Sequence, residues 1–241
     1  MTLFGQEAAM SNSEICSLAY EGKGKEVKEL IKKDSSLASA KDESGRIPLH
    51  WACSAGHSEI VQFLFDYSKA GFDEPDDAGW TPLMISASAG RTDIVKFLIE
   101  KGASVSVRNK TRQTPLHYAA SKAHMQIVKL LMDHNAEVNA RDSLGATPLH
   151  RASAKGNTAI VSMLLGHCGC DVNIADAQGN TPLHLACEED RRDEAKMLVK
   201  SGAYLDKLNK VLIQLPSERK SPLDLAEPGL RKILSRLAES G

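Results

Sequence analysis

The phrase Thr114-Pro115-Leu116-His117 decides the fold, because it returns at a nearly constant interval along the 241-residue chain. Identical or closely similar phrases stand at residues 47–50, 81–84, 147–150, 181–184 and 221–224. Successive prolines of the six phrases, from Pro48 to Pro222, are 34, 33, 33, 34 and 40 residues apart. A period of this length predicts a stack of helical repeats, with about six or seven extra residues in the last connection.

Each residue of the phrase has a mechanical role at the start of a helix. The Thr hydroxyl suits the N-cap, and Pro at the first helical position lacks an N–H that would otherwise be unpaired. Gly56 and Gly156 follow at the expected end of a first helix, and apolar spacing such as Ile127, Val128 and Leu131 predicts a second helix. The period and the phrase together are the signature of ankyrin repeats. We therefore expect an all-α ankyrin-repeat solenoid of seven helix-turn-helix repeats with β-hairpin fingers.

The same alignment predicts one folded domain. Residues 1–10 are expected to be a disordered N-terminus, and residues 11–241 a single ankyrin-repeat domain. Within this domain we expect a capping repeat at about 11–43, internal repeats at about 44–217 and a closing repeat at about 218–241. The extra residues near 211–217 predict a lengthened last finger over residues 210–220.

Composition and motifs give no support to catalysis. The formal net charge of −1 and the lack of a long apolar run argue against nucleic-acid and membrane partners. Five scattered cysteines predict reduced thiols, and Cys168-Gly169-Cys170 lacks the second ligand pair of a zinc site. We expect no enzyme activity, metal or cofactor. Four histidines are expected to bond the N-cap and the neighbouring fingers, and these are His50, His117, His150 and His184.

Residues that packing does not use are expected to form a protein-binding strip on the concave surface. They lie at finger tips and late in the first helices, and their charges run from acidic to basic to acidic along the chain. Complementary charge of this kind sets partner choice, although solvated surface charge is the alternative for any single residue. Trp80 is either an interface anchor or packs against the neighbouring finger. The predicted contact residues are Glu43, Arg46, Asp76, Asp77, Trp80, Lys110, Gln113, Lys122, Lys155, Glu188 and Glu189.

Several stretches are more specific than the general repeat pattern. Leu49-His50-Trp51-Ala52-Cys53-Ser54-Ala55-Gly56-His57, Asp76-Asp77-Ala78-Gly79-Trp80 and Gly179–Glu189 resemble the gankyrin family, seven-repeat proteins described as non-ATPase regulatory subunits of the proteasome. The resemblance implies a monomeric, cytoplasmic and nuclear chaperone of regulatory-particle assembly, which holds the C-terminal domain of an ATPase-ring subunit on its concave face. The last finger is longer than in that family. The positions that match the family's contact motifs are Arg46, Asp77, Lys122 and Glu189.

The resemblance also implies two cell-cycle partners. Leu185-Ala186-Cys187-Glu188-Glu189 matches the L-x-C-x-E phrase that links the family to the retinoblastoma protein, and a cyclin-dependent kinase is the second implied partner. Packing of Leu185 and Cys187 in the first helix of repeat six is the competing interpretation, because exposing them would uncover apolar surface. An ankyrin adaptor or inhibitor of cell-cycle or transcription regulators is the alternative function.

Overall fold

A computed structural model describes residues 12–68, 72–210 and 219–239 of the chain. Within these ranges the chain forms seven successive pairs of α-helices, as the repeat period predicts. Two of the predicted features lie outside the described residues: the disordered stretch 1–10, and residues 211–218, which make up most of the lengthened last finger.

The helices follow the repeats one pair at a time. The first helices of repeats one to seven are α1 (Asn12–Glu21), α3 (Pro48–Ala55), α5 (Pro82–Ser88), α7 (Pro115–Ser121), α9 (Pro148–Lys155), α11 (Pro182–Glu188) and α13 (Pro222–Leu225). The second helices are α2 (Gly24–Lys33), α4 (Ser58–Ser68), α6 (Thr92–Glu100), α8 (Met125–Asp133), α10 (Thr158–Leu165), α12 (Arg192–Lys200) and α14 (Pro228–Glu239). No helix in the described part of the chain has the length and apolar character needed to cross a membrane.

The chain divides into two compact units between Ser104 and Val105. In the first unit α1, α3 and α5 pack side by side, and α4 lies between α2 and α6. In the second unit α7, α9, α11 and α13 pack in order, and α8, α10, α12 and α14 form the second layer. The leucines of the phrases in repeats two to six are buried between the layers, as predicted, and these are Leu49, Leu83, Leu116, Leu149 and Leu183. Burying each of them contributes about 1.5–3 kcal/mol.

In repeats four, five and six the phrase caps the first helix with its own Thr and His. In repeat five the Nδ1 atom of His150 accepts from the backbone N–H of Thr147 at 3.1 Å, and its Nε2 atom donates to the Asn180 carbonyl at 3.0 Å. His50, His117 and His184 make the corresponding two bonds, so the predicted structural role of the four histidines is confirmed. Burial lowers the pKa of each of these histidines and keeps it neutral.

The sequence predicts β-hairpin fingers, but the fingers are tight turns. The described residues contain no β-strand. In repeat five one backbone bond of 3.0 Å joins Asp142 to Ala146, and too few residues remain for a ladder to continue. The next finger adds a bond from the Ala177 N–H to the Leu144 carbonyl. Gly145 makes this approach possible, because its φ is +74° and a Cβ there would lie 3.0 Å from the Ala177 nitrogen.

A second bond between repeats closes the end of the first helix. The residue that follows the left-handed turn reaches back and donates to a carbonyl in the last turn of the preceding repeat's first helix. In unit two Asn157 donates to Ala120 at 2.7 Å and Arg191 to Ala154 at 3.4 Å. We call these donors the clasp residues, and in unit one His57, on Tyr20, and Arg91, on Ser54, are clasp residues too. They satisfy carbonyls that would otherwise lack an intrahelical partner.

Candidate protein-binding surface

The tips of the fingers and the ends of the first helices carry the predicted contact residues. We call this part of each unit its finger face. In unit one Glu43 and Asp77 are exposed on it. In unit two the exposed residues are Lys110 in a finger, Lys122, Lys155, Glu188 and Glu189. Lys122 and Glu189 follow directly after α7 and α11, whereas Lys155 and Glu188 are the last residues of α9 and α11.

Arg46 is half-buried and is held in place from two sides. Its Nε atom lies 2.9 Å from Oδ2 of Asp76, in the next finger. Its guanidinium also lies over the Trp51 ring, 5.1 Å from the ring centroid. Part of the charge of Arg46 is therefore neutralised within the unit, and only its exposed portion remains for a partner.

Asp76 is a predicted contact residue that the structure does not place on the surface. Its side chain is buried, and Oδ1 accepts from the backbone N–H groups of Ala78 and Trp80 at 2.9 and 2.8 Å. Oδ2 is bound to Arg46. The carboxylate therefore shapes the finger and is turned away from solvent, because the tight turn supplies two unpaired N–H groups that need an acceptor.

This use of an acidic or amide side chain recurs in the neighbouring fingers, and it is the feature that the sequence interpretation missed. Asp42, Asn109, Asp142 and Asp176 stand six residues before their phrase prolines and accept backbone N–H groups in the same way. The regular spacing was visible in the sequence. The acidic band of unit one is consequently reduced to Glu43 and Asp77.

The second oxygen of a finger carboxylate is often bound by the first helix. In repeat two the Trp51 indole N–H donates to Asp42 at 2.8 Å, and in repeat five Arg151 pairs with Asp142. In repeat four Tyr118 plays this part, because its hydroxyl accepts from the Asn109 amide at 2.9 Å. These side chains fix each finger on its own helix.

Two further predicted contact residues are partly used by the fold. Gln113 is half-buried, and its Oε1 atom accepts from the Thr111 hydroxyl at 3.0 Å and from the Tyr118 hydroxyl. Trp80 is half-buried, and its backbone groups bind Asp76 and His50. Trp80 is therefore partly packed within the unit and partly accessible to a protein partner.

The charged residues predicted for unit two are exposed on its finger face. Lys110, Arg112 and Lys155 are exposed, and at the end of α11 the side chain of Glu189 lies 3.9 Å from that of Arg191. Leu144, at the tip of the finger of repeat five, is an apolar residue that is 62% exposed. The unit therefore offers basic, acidic and apolar contacts on one face.

Ala186 and Cys187 of the L-x-C-x-E phrase are buried in the core of unit two, whereas Leu185 is half-buried and Glu188 and Glu189 are exposed. Cys187 lies in α11 with only 1% of its surface exposed, and burial raises the pKa of its thiol to about 12. The phrase is thus helical in the folded repeat, which favours the packing interpretation. In the described ranges no group of three or more His, Cys, Asp or Glu side chains is arranged to hold a metal ion.

A cavity lies on the finger face of unit one. It has a volume of about 360 Å³ and lies between α1, the first finger and α3. Tyr20 and Trp51 form its aromatic wall, with ring centroids 5.7 Å apart and ring planes at 87°.

Comparison with known proteins agrees with this architecture. The family model for ankyrin repeats (3 copies) matches residues 8–109, 104–176 and 141–210. The 26S proteasome non-ATPase regulatory subunit 10 of Homo sapiens is 57% identical over 58 residues, which is 24% of this chain and 26% of that protein. The Mus musculus protein of the same name is 59% identical over 58 residues, covering 24% and 25%. The chain thus aligns with about a quarter of the length of these relatives.

The fold extends much further than that aligned stretch. The crystal structure of the human ASB11 ankyrin repeat domain superposes with a TM-score of 0.79 at 25% identity, covering 92% of this chain and 96% of that one. The matched repeats take in well over half of the chain. The chain belongs to the ankyrin-repeat family.

Proposed function

We propose that the chain binds the C-terminal domain of a proteasomal ATPase-ring subunit through its finger faces and thereby assists assembly of the regulatory particle. The observation that carries the proposal is the match of 57–59% to proteins named as proteasome regulatory subunits. Membership of the ankyrin-repeat family directly supports a scaffold that binds protein partners.

The exposed charges support a recognition mode based on ion pairing. Asp77, Lys122 and Glu189 match the contact motifs of the gankyrin family and are exposed in the structure. Their signs alternate, so a partner with the complementary pattern is held in one register, and a shifted partner meets like charges. Arg46 adds a fourth matching position, although its guanidinium is shared with Asp76.

Binding energy alone is sufficient for this activity. A chaperone that occupies the C-terminal domain of an ATPase subunit delays docking of the ATPase ring onto the proteolytic core until assembly has advanced. Neither nucleotide nor a reacting side chain is needed, since the effect is the exclusion of one surface by another.

Co-purification from lysate at low salt, followed by mass spectrometry, tests the proposal. We expect the wild-type chain to retrieve a proteasomal ATPase subunit. Reversing two charges, Asp77→Lys with Lys122→Glu, is expected to lower the recovered amount about ten-fold or more, because each reversal replaces an attraction by a repulsion.

The matched control reverses the same two signs on the second helices. Glu59 in α4 and Lys129 in α8 are exposed, so Glu59→Lys with Lys129→Glu leaves the net charge and the finger faces unchanged. The control is expected to retrieve the subunit as wild type does. Recovery of cell-cycle or transcription regulators without any proteasome subunit would reject the proposal in favour of another ankyrin adaptor.

A further inference from the structure

The cavity of unit one is built like a receptor for a single side chain. Its volume of about 360 Å³ lies at the small end of the range of about 300–1,000 Å³ that holds small ligands. Ser17, Tyr20 and Glu21 of α1 line it together with Glu43 of the first finger and Trp51 of α3. Tyr20 is 51% exposed even though its ring packs edge-on against that of Trp51.

The lining of the cavity has one sign of charge. Among the described residues three carboxylates line it, those of Glu21, Asp42 and Glu43, and no Lys, Arg or His does. Asp42 is committed to the finger and to the Trp51 indole, and Glu21 lies 2.9 Å from Lys23. The carboxylate of Glu43 forms no hydrogen bond or ion pair with any described residue. A cation entering the cavity would therefore meet an available carboxylate beside an aromatic wall.

The chain already carries an example of the chemistry on the same ring. The guanidinium of Arg46 lies over Trp51 at 5.1 Å while its Nε atom binds the Asp76 carboxylate at 2.9 Å. A planar guanidinium stacks on an aromatic face and bonds a carboxylate at its edge at the same time, which a compact ammonium does less well. The lining of the cavity likewise includes a ring and a carboxylate, those of Tyr20 and Glu43, and no Lys, Arg or His of the described residues lines it.

From these observations we infer that the cavity takes the guanidinium of an arginine presented by the protein partner. The inference rests on the proposed function, which it sharpens by naming the side chain that unit one selects. Tyr20 offers the stacking surface, Glu43 accepts from the guanidinium edge, and the serine hydroxyls of α1 supply further acceptors. An uncharged planar side chain of the same length would lose the attraction to the carboxylates.

A direct test uses the full chain and the probe N-acetyl-arginine amide. The indole N–H signals of Trp51 and Trp80 are followed by NMR as the probe is added, and Trp80 serves as the internal reference. We expect saturable shifts at Trp51 and at the Tyr20 ring. The neutral isostere N-acetyl-citrulline amide is expected to bind about ten-fold more weakly, since it keeps the shape of the probe and removes the charge.

Two variants assign the effect to the cavity. Glu43→Gln and Tyr20→Leu change exposed side chains. Each is expected to lower the affinity for the arginine probe about two- to five-fold. Glu59→Gln, an exposed acid on α4, is the matched control and is expected to change nothing. Equal shifts with arginine and citrulline probes, or a response that ignores both cavity variants, would overturn the inference.

The result is separable from that of the proposed function. If the arginine probe fails while the ATPase subunit is still retrieved, the cavity inference alone is lost. If the probe binds as expected and no proteasome subunit is retrieved, the cavity stands and the partner must be sought among other proteins with exposed arginines.

Discussion

Asp73 stands at the finger position that Asn139 and Asn173 occupy in later repeats. The Asn173 amide donates to the Gly202 carbonyl at 2.9 Å, while its Oδ1 atom accepts from the backbone N–H of Tyr204 at 2.9 Å. Asn139 makes the same pair of bonds. Asp73 accepts from the Ser104 N–H at 3.3 Å, but its buried Oδ1 atom has no donor in the described structure. A carboxylate lacks the N–H that asparagine would supply there.

We expect Asp73→Asn to raise the free energy of unfolding by about 1 kcal/mol at pH 7, because the amide restores a donor at a buried oxygen position. Burial raises the pKa of Asp73, so its charged form costs stability above that pKa. The advantage of the variant should therefore shrink as the pH falls and the wild-type carboxyl becomes protonated. Urea unfolding at pH 7 and at acidic pH measures both effects.

The reverse substitution is the control for this prediction. Asn173→Asp places a carboxylate where the amide now donates to Gly202, and it should lower stability by about 1–2 kcal/mol at pH 7. If Asp73→Asn is no more stable than wild type while Asn173→Asp is destabilised, the equivalence of the two positions is refuted.

At the level of the helix, the end of the first helix requires a left-handed residue, and the repeats meet this need unequally. Gly56 and Gly156 occupy the position with φ of +95° and +70°. Ala123 and Asp190 adopt φ of +60° and +47° at the same place. Each non-glycine residue there stores strain of about 1 kcal/mol or more. Repeat four carries two further left-handed residues that are not glycine, Arg112 and Asn135.

We predict opposite signs for two substitutions at this position. Ala123→Gly should stabilise the chain by about 0.5–1 kcal/mol, since it relieves strain at a modest entropy cost in the unfolded chain. Gly156→Ala should destabilise it by about 1–2 kcal/mol, because φ is +70° and the new Cβ would lie 3.0 Å from Cδ of Arg191. Chemical denaturation compares the two variants with wild type, and effects of the same sign would contradict the assignment of strain.

These elements also define what the sequence could predict. The period predicted the number of helix pairs, and the phrase predicted where the first helix of each repeat from two to seven begins, because both depend on residues close together in the chain. The prediction of Asp76 as a contact residue was wrong, since only the turn conformation decides whether its carboxylate points to solvent or to its own backbone. The clasp between Arg191 and Ala154 was not predicted, because it joins residues 37 apart and depends on how closely two repeats approach.

On the scale of the whole molecule, the buried histidines give the fold a common sensitivity to acid. Burial lowers the pKa of His117 to about 4 and lowers the pKa of the other three phrase histidines in the same direction. Their ordinary pKa is about 6.5 when the chain is unfolded. The unfolded state therefore binds more protons between these values, and stability is lost as the pH falls through this interval.

We expect the free energy of unfolding to fall steadily from pH 7 to pH 5, with His117 alone contributing a loss of up to about 3 kcal/mol by pH 4. Urea unfolding at several pH values measures the loss, and NMR titration of the histidine ring signals assigns it to the four residues. A constant free energy between pH 7 and pH 5 would show that protonation of these rings does not oppose folding.

The clasp bonds have a consequence for the order in which the chain is made. Tyr20, Ser54, Ala120 and Ala154 each receive their donor from a residue 37 positions later in the chain. Synthesis proceeds from the N-terminus, so each of these helices leaves the ribosome before the side chain that closes it has been translated. A nascent repeat therefore keeps an open helix end until its successor has emerged, and folding on the ribosome follows translation with a lag of one repeat.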